Sequence, residues 1–223
     1  MLKRFKKIEH DSFKKKDIVT NYTLEYNKEK KISYLYFFNG EESLKFDYNE
    51  NSIKITWTEE GKYYIHYILT DKQLLVFEDE GESDPKNADE VYDIKYKDRR
   101  LTEVKISDTE ISSYSWEGNN ISKVTDEDID GTSTSVYEDI YEYHKSPNPF
   151  KALESLCFID LSSQNFIPLE LGLTADTLIS ITDKRTIEGK VTEKIIDYKA
   201  KFNAEGCLEE IRDDNVIYKL FYE

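Results

Sequence analysis

The chain has 223 residues and a formal net charge of −15, from 46 Asp and Glu against 31 Lys and Arg. Repulsion from phosphate backbones and anionic bilayers sets it against nucleic acid and bare membrane surfaces as partners. Hydrophobic residues make up 38% of the chain, and 17 Tyr and 11 Phe supply much of that share. This is enough apolar material for the core of one all-β domain, but no run approaches the ~20 apolar residues of a helical membrane span.

The chain opens with the basic stretch "LKRFKKIEHDSFKKKD", which reads as a solvated first strand or arm. No apolar stretch follows "MLKRFKK", so the expectation is a soluble chain, or one whose signal segment was removed upstream. Strict alternation then sets in. "SLKFDY" places Leu44, Phe46 and Tyr48 on one face, "SIKITWT" does so with Ile53, Ile55 and Trp57, and "KYYIHYIL" with Tyr63, Ile65, Tyr67 and Leu69. Period-two patterning in β-branched and aromatic residues predicts half-buried strands. Short polar turns separate them, with Asn39-Gly40 a strong hairpin signal.

A unit of aromatic, turn and aliphatic recurs about every 20 residues. Tyr26 precedes Ile32, Tyr48 precedes Ile53, Tyr67 precedes Leu74, Tyr96 precedes Leu101 and Trp116 precedes Ile121. Two acidic insertions, "EDEGESDPKNADE" and "DEDIDGTSTS", lengthen the interval where they occur. In an up-and-down sheet, successive turns fall at alternate edges. Turn counting gives one rim Lys28, Lys30, Lys31, Lys72, Lys97, Arg99 and Arg100. It gives the other Glu41, Glu42, Glu59, Glu60, the run from Glu78 to Asp84, Asp108, Glu110 and the run from Asp126 to Asp130. One rim is therefore expected to be acidic and the other mixed to basic.

Within the second insertion, Asp126, Asp128, Asp130 and Gly131 follow the first half of an EF-hand calcium loop. Position 12, where that loop needs a bidentate Glu, is Tyr137, and Glu138 is one residue late on the opposite face of a strand. Asp126, Asp128 and Asp130 are thus a weak calcium candidate, and an acidic hairpin tip is the simpler expectation. No other cofactor is indicated. His10, His66 and His144 are scattered, and Cys157 and Cys207 match no metal spacing, their pairing being left open.

Alternation stops after Tyr143. Asn148 is placed to cap a helix starting at Pro149, with Phe150, Leu153, Leu156 and Cys157 on one face. Such an apolar stripe is expected to close one opening or face of the sheet. Strands resume with "LISITDKRT", "GKVTEKIIDYKAKFNAEG", "CLEEIRD" and "NVIYKLFYE", where Phe202 and Leu208 repeat the aromatic–turn–aliphatic unit. The expected fold is all-β. It is a single domain with one large curved antiparallel meander sheet, half-barrel or barrel-like. Hairpins occupy 1–145 and 178–223, and a short helical or irregular insertion occupies 146–177.

The repeated hairpins, the "SPNPF" segment and the closing "KFNAEGCLEEI…YKLFYE" resemble a Bacteroidetes family of exported lipoproteins of unknown function with a porin-like fold, and the hairpins resemble YD repeats. The resemblance implies a curved antiparallel sheet in the periplasm, at the outer membrane or at the cell surface, and brings no catalytic residues. The residues themselves show no nucleophile elbow, His-based metal motif or phosphate loop. The expectation is a monomeric, non-catalytic binding or interaction domain whose partner is a glycan, lipid or protein. A lipid or glycan carrier using the concave face, and an enzyme acting on glycans, stand as alternatives.

Overall fold

The computed structural model describes residues 1–11, 16–130, 133–154, 158, 172–187 and 189–222. They form β1 (Leu2–Asp11), β2 (Lys16–Tyr26), β3 (Ile32–Phe37), β4 (Glu42–Tyr48), β5 (Ser52–Glu59), β6 (Lys62–Thr70), β7 (Gln73–Phe77), β8 (Glu90–Lys97) and β9 (Arg100–Lys105). These are followed by β10 (Glu110–Glu117), β11 (Asn120–Asp130), β12 (Ser133–Pro147), β13 (Asp176–Ile187), β14 (Lys190–Asp197), β15 (Lys199–Phe202), β16 (Leu208–Arg212) and β17 (Val216–Tyr222). All belong to one antiparallel sheet. From β1 to β14 each strand pairs with the next, and β1 also pairs with β17, which pairs with β16, itself paired with β15.

The sheet bends until it nearly closes. β14 and β15 form one extended run that changes neighbours at Tyr198. Lys190–Asp197 pairs with β13, Tyr198 N donates to Ile179 O at 2.7 Å, and Lys199–Phe202 pairs with β16. The barrel therefore closes through a single strand shared between two half-length ladders.

Register explains the repeat seen in the sequence. Tyr26, Tyr48, Tyr96, Trp116 and Phe202 lie directly opposite Ile32, Ile53, Leu101, Ile121 and Leu208. Tyr67 differs, pairing with Val76 while Leu69 meets Leu74. Two of these aromatics, Tyr26 and Trp116, and with them Tyr143 and Tyr222, spend their polar atom on a carbonyl of an adjoining strand. Tyr26 Oη donates to Leu2 O, Trp116 Nε1 to Leu101 O (2.7 Å), Tyr143 Oη to Ile121 O (2.7 Å) and Tyr222 Oη to Leu208 O (2.6 Å). Each acceptor belongs to a buried aliphatic near the start of its strand. A hairpin turned at one end of the barrel is thus latched at the other.

Inward rows form one continuous core in which Leu35, Leu44, Ile55, Tyr67, Leu74, Val104 and Ile121 are fully buried. Outward rows are polar, with ion pairs Lys45–Asp47 (2.8 Å), Lys95–Glu103 (2.6 Å) and Lys123–Glu138 (2.9 Å). A lipid-facing barrel shows the reverse, an apolar outer band around a polar interior. One outward patch is apolar. His66 is buried there, its ring stacked on Phe77 at 4.8 Å, and its Nδ1 lies 2.9 Å from Tyr63 Oη. A bulge between Trp57 and Thr58 pairs Tyr63 with Thr58, so Tyr63 leaves the Ile65–Tyr67–Leu69 row to which alternation alone assigns it.

The described residues of the insertion pack into the barrel core. Asn148 Oδ1 accepts from Phe150 N at 3.0 Å and caps the helix as expected, but the helix is a short 3₁₀ segment, Pro149–Leu153. Strands extend further into this region than the loss of alternation suggested. β12 runs to Pro147 through two register shifts, and β13 begins at Asp176. Phe150, Leu153, Phe158 and Leu173 are buried in the core, with Phe150 edge-on to Phe5 (6.3 Å) and Tyr218 (5.5 Å). Leu156 and Cys157 lie outside the described residues. The Asn39-Gly40 turn is likewise 3₁₀, with positive φ at Phe38 (47°) and Gly40 (89°).

Two outcomes test this packing. Phe150→Ala empties a site enclosed on all sides and should lower unfolding free energy by roughly 3–5 kcal/mol. Tyr222→Phe orphans the Leu208 carbonyl and should cost about 1–2 kcal/mol. Both are read by denaturant titration, and a loss below half a kilocalorie in either would mean that the site relaxes freely.

Candidate functional site

The calcium candidates sit in a strand. β11 continues to Asp130, with Asp126 opposite Tyr137 and Asp128 opposite Ser135. Alternate residues of a strand stand ~6.6 Å apart, spreading carboxylates along a line where an EF-hand wraps them around an ion. Asp130 is placed by its backbone alone, and Gly131 and Thr132 lie outside the described residues. Glu138 points outward between Lys123 (2.9 Å) and Lys184 (3.6 Å). Among the described residues no three His, Cys, Asp or Glu side chains converge as a cation site. Cys207 is a free thiol, and Cys157 falls outside the described residues.

Asp126 faces inward and joins a cluster that the sequence did not disclose. The register aligns Val124, Asp139 and Asp183 in one inward row across β11, β12 and β13, and Asp126, Tyr137 and Arg185 in the next. Burial, then the charges of Asp183 and Asp126, push the Asp139 carboxyl up to about 6, opposed by the Tyr141 hydroxyl at 3.5 Å and by Arg185. Arg185 is committed to Asp183, with Nη2 to Oδ2 at 2.9 Å and Nε to Oδ1 at 3.2 Å. Burial also raises Asp126, which Ser112 partly offsets by hydrogen bonding.

The turns alternate as counted. Asn27–Lys31, Asp71–Lys72, Asp98–Arg99 and Gly118–Asn119 fall at one end, and Glu60–Gly61 and the two acidic insertions at the other. The acidic end is less uniform than the count implied, because the β1–β2 connection brings Lys16 there. At that end Glu42 receives Trp57 Nε1 (3.0 Å), and its carboxyl is raised by burial, then by Glu59 and Glu41.

The mixed end carries a cleft of about 340 Å³ between two turns and the returning insertion. One wall is the β8–β9 turn, where Asp98 (φ 53°) and Arg99 (φ 64°) both adopt the left-handed conformation of a tight hairpin. Residues other than glycine pay about 1 kcal/mol or more for this geometry, which aims their side chains away from the sheet. Opposite, Asn120 Oδ1 accepts from Ala175 N (3.1 Å) and Asp176 N (3.0 Å), pinning the insertion's return to the β10–β11 turn. Lys151 Nζ donates to Leu173 O at 3.0 Å and pairs with Glu154 at 3.0 Å.

Leu101 and Leu173 are buried beneath these walls, Tyr96 and Trp116 offer aromatic surface, and Arg99, Arg100 and Lys151 supply positive charge. The Arg100 guanidinium lies 5.9 Å from the Trp116 ring centre. Burial, the largest cause, pushes the Tyr96 hydroxyl up to about 12, which keeps it protonated near neutrality. The basic "YKDR" turn and Trp116 were visible in the sequence, but their meeting with Lys151 and Leu173 depends on how the insertion folds back.

The inward carboxylates carry a pH prediction. An acid whose folded pKa is raised takes up protons on folding, so its penalty is absent below about 4 and complete above about 6. Asp139→Asn should therefore stabilise the chain by about 1–2 kcal/mol at pH 7.5, with the gain vanishing at pH 4, as measured by paired melts against the parent chain. A gain independent of pH would remove the electrostatic cause.

No protein-family model matches the chain, and no curated protein matches it. Two solved structures share its architecture. A porin-like protein from Bacteroides uniformis aligns with TM-score 0.60 and 11% identity, covering 100% of this chain and 98% of that one. A porin-like protein from Bacteroides vulgatus aligns with TM-score 0.52 and 12% identity over the same shares, 100% and 98%. At these identities the likeness is one of fold: a barrel-like antiparallel sheet.

Proposed function

We propose that the chain is a non-catalytic binding domain of the bacterial envelope that recognises carbohydrate at its mixed-charge rim. The observation that carries this is the division of labour between lumen and rim. Phe150, Leu153, Phe158 and Leu173 occupy the concave interior, so a carrier site there would compete with the chain's own core. The rim cleft, by contrast, is open and combines what sugar binding uses. Tyr96 and Trp116 present flat amphipathic rings to the C–H faces of a pyranose, and Arg99 and Arg100, in excess over Asp98 once Lys151 is paired with Glu154, favour a sugar bearing carboxylate or sulfate. Envelope residence, and attachment as a lipoprotein, rest on the resemblance of the hairpins and of the "SPNPF" segment to exported lipoproteins.

The test is a glycan array followed by calorimetry on the best acidic oligosaccharide. Arg99→Gly removes the guanidinium while easing the left-handed backbone, so it should weaken binding about tenfold or more, as losing a charge-assisted hydrogen bond does, with melting temperature kept or raised. Binding unchanged in that variant, or no glycan retained at all, would defeat the proposal. Stoichiometric lipid extracted from purified protein would favour the carrier alternative. Shortened oligosaccharide after prolonged incubation would favour an enzyme.

A further inference from the structure

Among the described residues, the shared strand leaves one edge of the sheet unpaired. Tyr198 N bonds to Ile179 O, and this sets the phase of β14. Even-numbered residues from Lys190 to Ile196 turn their N–H and C=O groups toward β13, while Val191, Glu193, Ile195 and Asp197 turn theirs the other way. That side is met by β16 only from Lys199 onward, because β16 ends at Arg212 and the chain turns back through Asp213, Asp214 and Asn215. Two clefts of about 180 and 330 Å³ lie where β16 would have continued. On the outward row of this edge Val191 is 57% exposed and Ile195 60%. Long, partly apolar open edges are normally covered or blunted.

A second folded copy is a poor cover. Pairing about a two-fold axis keeps each residue on its own face of the sheet, so opposed positions must have an even sum and the central residue faces itself. Centred on Thr192, that places Lys190 against Lys194. Centred on Glu193 or Lys194, each meets its own copy, and centred on Ile195, Glu193 meets Asp197. Every symmetric register of five residues or more thus opposes like charges, which destabilises strand pairing.

A free extended segment is not bound to one face, and for it the edge is complementary to a simple pattern. Opposite the outward row of Val191, Glu193, Ile195 and Asp197 the match is aliphatic, basic, aliphatic, basic. Opposite the inward row of Lys190, Thr192, Lys194 and Ile196 it is acidic, hydroxyl, acidic, aliphatic. Asp213 and Asp214 line the same clefts as Asp197, together with Lys194, Lys199 and Arg212, so the charge pattern of the partner is set by the β14 rows themselves. We infer that the open edge of β14 is a docking site for an extended peptide segment of a partner protein, with Lys or Arg alternating with aliphatic residues on its outward row, added to the barrel as one more strand.

The free peptide Lys-Val-Val-Glu-Lys-Thr-Ile-Asp satisfies this pattern in antiparallel register and serves as the probe, fluorescently labelled, against a scrambled peptide of equal composition. Binding should be saturable for the first and absent for the second, with amide exchange slowed at Val191, Glu193, Ile195 and Asp197. Glu193→Pro deletes an N–H that points away from β13 and meets no other described strand, on an edge strand where proline is tolerated. It should weaken binding about tenfold or more at unchanged melting temperature. Ile195→Lys, a surface change, should weaken it as well and provides the test should the proline variant unfold. Failure of the peptide to bind at millimolar concentration, equal binding by the scrambled peptide, or full affinity in both variants would overturn the inference. So would sedimentation showing the barrel to self-associate in an Ile195-dependent way, since a second copy would then hold the edge.

Discussion

A sheet of this many strands bent almost to closure encloses more space than its own side chains can fill. Eight strands make an interior that side chains just occupy, while sixteen or more leave a channel. Among the described residues seventeen strand segments lie in this sheet, β14 and β15 being one run, and its inward rows are mainly aliphatic and aromatic. An apolar lumen of that width must be packed with something other than water. The segment between β12 and β13 supplies it, delivering Phe150, Leu153, Phe158 and Leu173 to the core. The large inward rings have the same origin, because Tyr and Phe reach further from the wall than Val or Leu. Phe5 and Tyr22, stacked at 4.3 Å, and Phe150 edge-on to Phe5 bridge wall and filling.

Choosing tyrosine and tryptophan for this task creates a second requirement, since their polar atoms need partners in a dry interior. The latches to Leu2, Leu101, Ile121 and Leu208 meet it by taking main-chain carbonyls close to the strand starts. One residue type thus fills volume, satisfies itself and ties neighbouring strands together. The recurrence of aromatic, turn and aliphatic follows, because each hairpin repeats the problem. The repeat was therefore legible in the sequence, as was the alternation of turns between the two ends. Its purpose was not, since a carbonyl acceptor leaves no trace in the residue letters.

What the sequence withheld has a common character: each case depends on a shift of one residue. Alternation places Tyr63 with Ile65 and Tyr67, and a single bulge moves it to the His66 face. Asp126, Asp139 and Asp183 look like ordinary strand acids until register aligns them inward beside Ser112 and Arg185. "GKVTEKIIDYKAKFNAEG" reads as strand followed by hairpin, and it is extended throughout, but nothing in it marks Tyr198 as the point where the partner changes. The 3₁₀ form of Pro149–Leu153 was hidden for another reason. Its cap and proline suit either helix, so the residue letters do not distinguish the two.

Filling the lumen also decides where the molecule can meet anything else. With the concave face occupied and the outer wall laced by Lys–Glu and Lys–Asp pairs, two kinds of surface remain distinctive. The first is the rim, where the insertion must leave and re-enter the barrel and so builds a cleft against the β8–β9 and β10–β11 turns. The second is the seam, where one strand serves two ladders and covers neither edge along its whole length. Both are consequences of closing a wide barrel around a plug from the same chain: the plug must pass the rim, and the sheet must meet its own beginning. A barrel of eight strands, filled by its own side chains, would have no such cleft and no need for a shared strand. The rim cleft and the seam thus arise from the same geometry that brings Phe150, Leu153, Phe158 and Leu173 into the core.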